Sequence, residues 1–226
     1  ISTKILKEFI VKGFVLDDER LKQGNNVFNK NYFDELLERI REIRASEKLF
    51  YEKIKEVFVL SVDYGSQSNE ARLFFAHCQN KLEYAVIGMT SSEIIKKRAN
   101  HKLPNMGLTT WSGGKRSKSL IKKDVTVAKN YLLEDEMKSL NLLTTMLLDY
   151  VENQAKKKIA FYMKDWLVKL DSFLQFNEYE VLQNYGKVKK TLADSFAIDE
   201  YKKYKEIKPK NYLKESKIVL GDVDEV

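Results

Sequence analysis

The sequence predicts an all-α protein, built as a multi-helix single domain with one long central loop. Apolar residues recur at spacings of three and four along most of the chain, and strict alternation is scarce. Only two prolines and nine glycines punctuate 226 residues, so few breaks are available to end helices. A composition of 43% hydrophobic and 32% charged residues suits a chain that buries a substantial core. The domain is expected over residues 1–206, with 207–226 a tail.

The elements follow in order. Ile1 is expected inside a helix that begins upstream. From Tyr32 to Phe58 the set Phe33, Leu36, Leu37, Ile40, Ile43, Phe50, Tyr51, Ile54, Val57 and Phe58 marks one buried helix face. Asp63, Gly65, Ser66 and Ser68 make a loop. A helix over about 69–87 carries Ala71, Phe74, Phe75, Cys78, Leu82 and Ala85 on one stripe, and Gly88 closes it. Thr90 and Glu93 have capping-box spacing ahead of a short helix through Ile94, Ile95 and Arg98. Residues 100–120, with Pro104, Gly107, Gly113 and Gly114, hold no sustained period and read as the central loop. Asp124 is expected to cap a short helix through Val127, Ala128 and Tyr131. The longest helix, over about 134–158, turns Met137, Leu140, Leu143, Thr144, Leu147, Leu148, Val151 and Ala155 inward. Trp166, Leu167, Leu170, Phe173 and Leu174 mark another, and Ala193 to Glu206 the last.

Composition excludes several classes. One cysteine, Cys78, allows no internal disulfide framework, and two histidines beside it leave little for a Cys/His zinc site. No metal and no cofactor are expected, and a reducing cytoplasmic location fits best. No run approaches the roughly 18 apolar residues of a membrane span, so no membrane partner is expected. The net charge of +7 permits attraction to a polyanion, although 33 acidic residues stand against 40 basic ones.

Motif searches narrow the chemistry further. No GxxxxGK[ST], HExxH or GxSxG pattern is present. The neighbours His77 and Cys78 point about 100° apart on a helix, which makes them packing residues rather than a catalytic pair. Arg44 and Glu47 fall where the apolar stripe pauses, so they sit beside the buried face and need partners. Asn80, Lys81, Glu93, Arg98, Lys102, Asn105, Thr109, Lys129 and Asn130 complete a polar set at loop and helix-end positions. With Arg44 and Glu47 they form a candidate polar pocket for an anion; the alternative is that Pro104 to Trp111 is a structural plug. Trp111 precedes the run Lys115, Arg116, Lys118, Lys122 and Lys123, which offers charge for phosphates and a ring for an unstacked base. A solvated basic loop has the same composition.

Certain stretches owe little to propensity: Gln79-Asn80-Lys81-Leu82-Glu83-Tyr84-Ala85-Val86, Lys102-Leu103-Pro104-Asn105-Met106-Gly107-Leu108-Thr109-Thr110-Trp111, Phe14 to Leu21, Arg39 to Glu47, and Ala128-Lys129-Asn130-Tyr131-Leu132. On these the chain resembles the RhuM family of bacterial virulence-associated proteins over about residues 1–205. Such proteins place Thr or Ser where this chain has Leu133, so the expected side-chain cap of the long helix is absent. The resemblance implies a DNA-binding-like region upstream and an origin in pathogenicity islands or other mobile DNA, but no established reaction. The expected function is a nucleic-acid-associated helical domain, contacting DNA or RNA, in defence or regulation. An enzyme acting on a phosphodiester or nucleotide, with Glu47, Glu93, Arg44, Arg98 and Lys129 about an anion, is the main alternative. A scaffolding domain that forms a homo-oligomer is the second.

Overall fold

The computed structural model describes residues 2–22, 32–59, 61–63, 68–112, 119–157 and 161–221. The fold is all-α. Its helices are α1 (Ser2–Lys12), α2 (Asp18–Lys22), α3 (Tyr32–Arg44), α4 (Glu47–Phe58), α5 (Ser68–Ile87), α6 (Ser91–Arg98), α7 (Glu134–Lys156), α8 (Met163–Phe176) and α9 (Lys190–Gly221), with 3-10 turns at Pro104–Gly107, Asp124–Thr126 and Ala128–Tyr131. Among the described residues, extended pairing amounts to one isolated bridge between Ser61 and Phe161. The chain divides into two compact units, Ile1–Arg44 and Ala45–Val226.

The first unit holds α1, α2 and α3. Gly13, at φ 80°, ends α1 by donating its N–H to the Phe9 carbonyl at 2.8 Å. Asp17 accepts the Arg20 N–H at 3.1 Å and so caps α2. α1 and α3 are both amphipathic, yet none of the described side chains in this unit is buried.

The second unit is built on α7, whose 23 residues span about 35 Å. Its inward stripe, Leu140, Leu143, Thr144, Leu147, Leu148 and Val151, is buried as the spacing predicts. α4 and α5 pack on it with Phe50, Ile54, Phe75, Cys78 and Leu82. α8 adds Trp166, Leu170, Phe173 and Leu174, and α9 packs on α6 through Ala193, Ala197 and Tyr201.

Three local expectations are revised. The helix expected from Tyr32 to Phe58 breaks between α3 and α4. There Ala45 is buried and its carbonyl accepts the Lys129 ammonium at 3.1 Å, a tertiary bond in place of a helical one. Asp124 does not cap a helix by its side chain. Its buried carboxylate accepts the N–H of Ser112 at 3.0 Å and of Ile121 at 2.9 Å, and so fastens together the two ends of the loop. α9 continues from the expected end near Glu206 through Pro209 to Gly221, where no apolar period announces a helix.

The central loop is shaped by left-handed backbone. Asn105, Met106 and Gly107 have φ of 51°, 60° and 81°. This turn drives Met106 into the core, where it is 0% exposed. Gly107 is required: a Cβ there would lie 2.6 Å from the Arg98 carbonyl oxygen.

Candidate nucleic-acid interface

The polar residues singled out in the sequence fall into several groups with different partners. Lys81 on α5 is buried and donates to Asp171 of α8 at 2.6 Å and to the Leu182 carbonyl at 2.9 Å. Arg98 at the end of α6 forms a two-pronged pair with Glu136 at 2.6 Å on each prong, and also donates to the Tyr131 carbonyl at 2.8 Å. Thr109 donates its N–H to the Asn130 carbonyl at 2.7 Å and its hydroxyl to the Leu132 carbonyl at 2.7 Å. Asn130 in turn donates to the Asp124 carbonyl at 2.9 Å and accepts from the Thr110 hydroxyl at 3.3 Å. Asn105 accepts the Leu108 N–H through its carbonyl at 3.0 Å, and Lys102 donates its N–H to Asn100 at 2.9 Å. These bonds hold the loop. Arg44 ends α3 in the first unit.

Glu47, Asn80 and Lys129 do come together, around a residue that the sequence reading passed over. Glu83 on α5 is 3% exposed and accepts the Ser91 hydroxyl at the start of α6. Ser91 also donates its N–H to Asn80 at 3.3 Å. Burial pushes the Glu83 carboxyl up to about 7, against the pull of Ser91, Lys129 and Lys190, while Glu47 adds to the rise. Burial likewise lowers the Lys129 ammonium, and Glu83 and Glu47 act the other way. The feature that could have revealed Glu83 is its position between Lys81 and Leu82 on one side and Ala85 on the other, one acid within a buried stretch.

A basic groove of about 600 Å³ runs between α6 and residues 181–188. Lys96, Lys97 and Lys187 line it beside Tyr84 and Asn184. Glu93 is the one acid among its lining residues, against three lysines, and its oxygens are engaged within the protein. It accepts from the Thr90 N–H at 2.8 Å, the Thr90 hydroxyl at 3.0 Å and the Lys187 N–H at 2.8 Å. Burial alone would raise the Glu93 carboxyl, but these donors hold it below its usual value. The expected capping box thus closes α6 and also anchors the opposite wall. Gly186, at φ 83°, lets that wall approach, since a Cβ there would meet Thr90 at 2.8 Å. Lys96 rests 3.6 Å over the Phe196 ring. Tyr185, next in sequence to the lining residues Asn184 and Gly186, is 85% exposed and packs edge-on against His77 of α5 at 5.5 Å.

The expected basic run is only partly placed. Lys115, Arg116 and Lys118 lie outside the described residues; Lys122 and Lys123 are exposed, and half-buried Trp111 packs against the core. The groove residues carry their own signal, Tyr185-Gly186-Lys187-Val188-Lys189-Lys190, a ring followed by three cations. Periodicity does not show that this stretch faces Lys96 and Lys97. Among the described residues no group of three or more His, Cys, Asp or Glu side chains is placed to hold a metal, and no helix is long and apolar enough to cross a membrane.

No curated protein and no solved structure matches the chain. The model of the virulence protein RhuM family matches residues 1–217, a little beyond the span of about 1–205 expected for the resemblance. The chain belongs to the virulence protein RhuM family.

Proposed function

We propose that the chain is the nucleic-acid-associated helical part of a cytoplasmic RhuM protein, acting in regulation or defence, and that the α6 groove holds a polynucleotide backbone. The observation that carries this reading is the juxtaposition of Lys96, Lys97 and Lys187 along a groove that has one acid among its lining residues, so that cations outnumber carboxylates three to one there. Phosphates neutralised there release condensed counterions, which drives binding without sequence preference. The exposed Tyr185 ring, adjacent in sequence to the lining residue Gly186, suits stacking on an unpaired base, so single strands should bind better than duplex.

Titration of short single-stranded and duplex DNA and RNA at several salt concentrations tests the reading. Lys96→Glu, Lys97→Glu and Lys187→Glu together should flatten the log-affinity against log-salt slope by about 2 to 3, at roughly 0.7 to 0.9 per phosphate contact. Absence of binding by the unaltered chain at low salt would refute it. A second reading, an enzyme acting on a phosphodiester or nucleotide, draws on the near-neutral Glu83 carboxyl beside Lys129. It predicts that Glu83→Gln abolishes cleavage of an end-labelled oligonucleotide while leaving its binding unchanged.

A further inference from the structure

The first unit carries a different surface. α1 and α3 border a concave groove of about 1320 Å³, lined by apolar side chains that include Ile5, Phe9, Phe14, Ile40 and Ile43. These five are 48%, 55%, 54%, 40% and 60% exposed, so the apolar faces of both helices lie open along the same hollow. The charged residues that line it are Arg39, Arg44 and Lys12, the last paired with Glu8 of its own helix at 2.7 Å, with no acid among the lining residues. We infer that this groove docks an acidic amphipathic helix of a partner protein.

Shape, size and charge each select that occupant. On α3 the lining residues Leu36, Ile40 and Ile43 follow spacings of four and three, which is the seam that a second helix packs against. A helix about 10 Å across, rising 1.5 Å per residue, fills the volume in roughly three turns. A second copy of the same face would bring Arg39 and Arg44 against their own counterparts, and like charges at a desolvated rim oppose association. A lipid surface is flat and meets convex apolar faces, whereas this one is concave. Carboxylates flanking a leucine stripe complement the rim and leave the hollow to the apolar side chains.

Two synthetic helical peptides of about three turns provide the test. They share leucines at i, i+3, i+4 and i+7 and differ only in flanking residues, glutamates in one and lysines in the other. In fluorescence anisotropy with the 226-residue chain, the glutamate peptide should bind about ten-fold tighter or better. Lys12→Glu with Arg39→Glu should reverse that order, and Ile40→Asp should remove binding of both. Circular dichroism checks that helix content survives, and the rim variant keeps the test valid if Ile40→Asp unfolds the unit. Equal affinities, no binding of either peptide, or preference for the lysine peptide overturns the inference. It is equally overturned if the unaltered chain self-associates through this groove, or sediments with vesicles of phosphatidylcholine and phosphatidylserine that the glutamate peptide fails to displace.

Discussion

At the scale of single residues, Glu83 makes the stability of the protein depend on pH between about 4.5 and 7. Its carboxyl titrates near 7 in the folded chain against a reference value of 4.5, so between those values the folded state holds a proton that the unfolded state has released. Stability from this residue is therefore full below about 4.5, falls as pH rises and levels off above about 7, a difference on the order of 3 kcal/mol. Urea unfolding at pH 5 and pH 8 should show the loss, and Glu83→Gln should remove most of it. An unchanged difference in the variant would place the titration elsewhere. Two glycines give a matched comparison. Gly88 and Gly107 both have positive φ, but a Cβ at Gly88 meets nothing within 4 Å while one at Gly107 meets the Arg98 carbonyl oxygen at 2.6 Å. Gly88→Ala should cost about 1 kcal/mol from backbone strain alone. Gly107→Ala should cost about 3 kcal/mol, since the carbonyl belongs to α6 and must move. Equal midpoints in urea for the two variants would contradict the close approach.

At the scale of elements, the start of α7 is organised by Glu136 in place of a side-chain cap at Leu133. Glu136 accepts the Leu133 N–H at 2.8 Å and both prongs of Arg98 at 2.6 Å, so one carboxylate closes α7 and ties it to α6. The pair is about a fifth exposed on each side, which moderates its strength. Glu136→Ala should destabilise by about 2 kcal/mol, and Arg98→Lys should recover little of a forked bond; thermal melts of both variants check this. What the sequence disclosed here followed the range of the interaction. The Gly88 cap, the Thr90 and Glu93 pairing and the α7 stripe are all decided within a few residues, and they were legible. The break at Ala45 was not, because Ile43 and Phe50 keep the same helical phase on either side while the determining bond comes from Lys129. Asp124 has the look of a cap, but its partner Ser112 lies across the loop. Lys96, Lys97 and Lys187 form one groove although some ninety residues separate its walls, and no periodicity reports such a meeting.

At the scale of the whole chain, the two units should differ sharply in how tightly they hold their amides. The first unit has no buried side chain among its described residues, whereas the second packs α4 to α9 around α7. Local opening costs little where apolar contacts are few. Hydrogen exchange should therefore be fast through α1 and α3 and slowest in α7, with residues 140–151 exchanging only on global unfolding. Slow exchange in α1 would mean that its apolar face is covered in solution, either by another copy or by a bound partner. Removing residues 1–44 should leave the main thermal transition within about 2 °C, since a change of 1 kcal/mol moves a domain of this size by roughly 2 to 4 °C.

Cys78, the chain's sole cysteine, sits on α5 at 1% exposure, and burial raises its thiol well above the ordinary range. A sulfur so placed is silent to alkylating reagents until α5 parts from its neighbours. Its labelling rate in native buffer then counts openings of the core directly, with no dye, added residue or denaturant. The same burial means that disulfide-linked pairs on a non-reducing gel would record chains that had already lost their native packing.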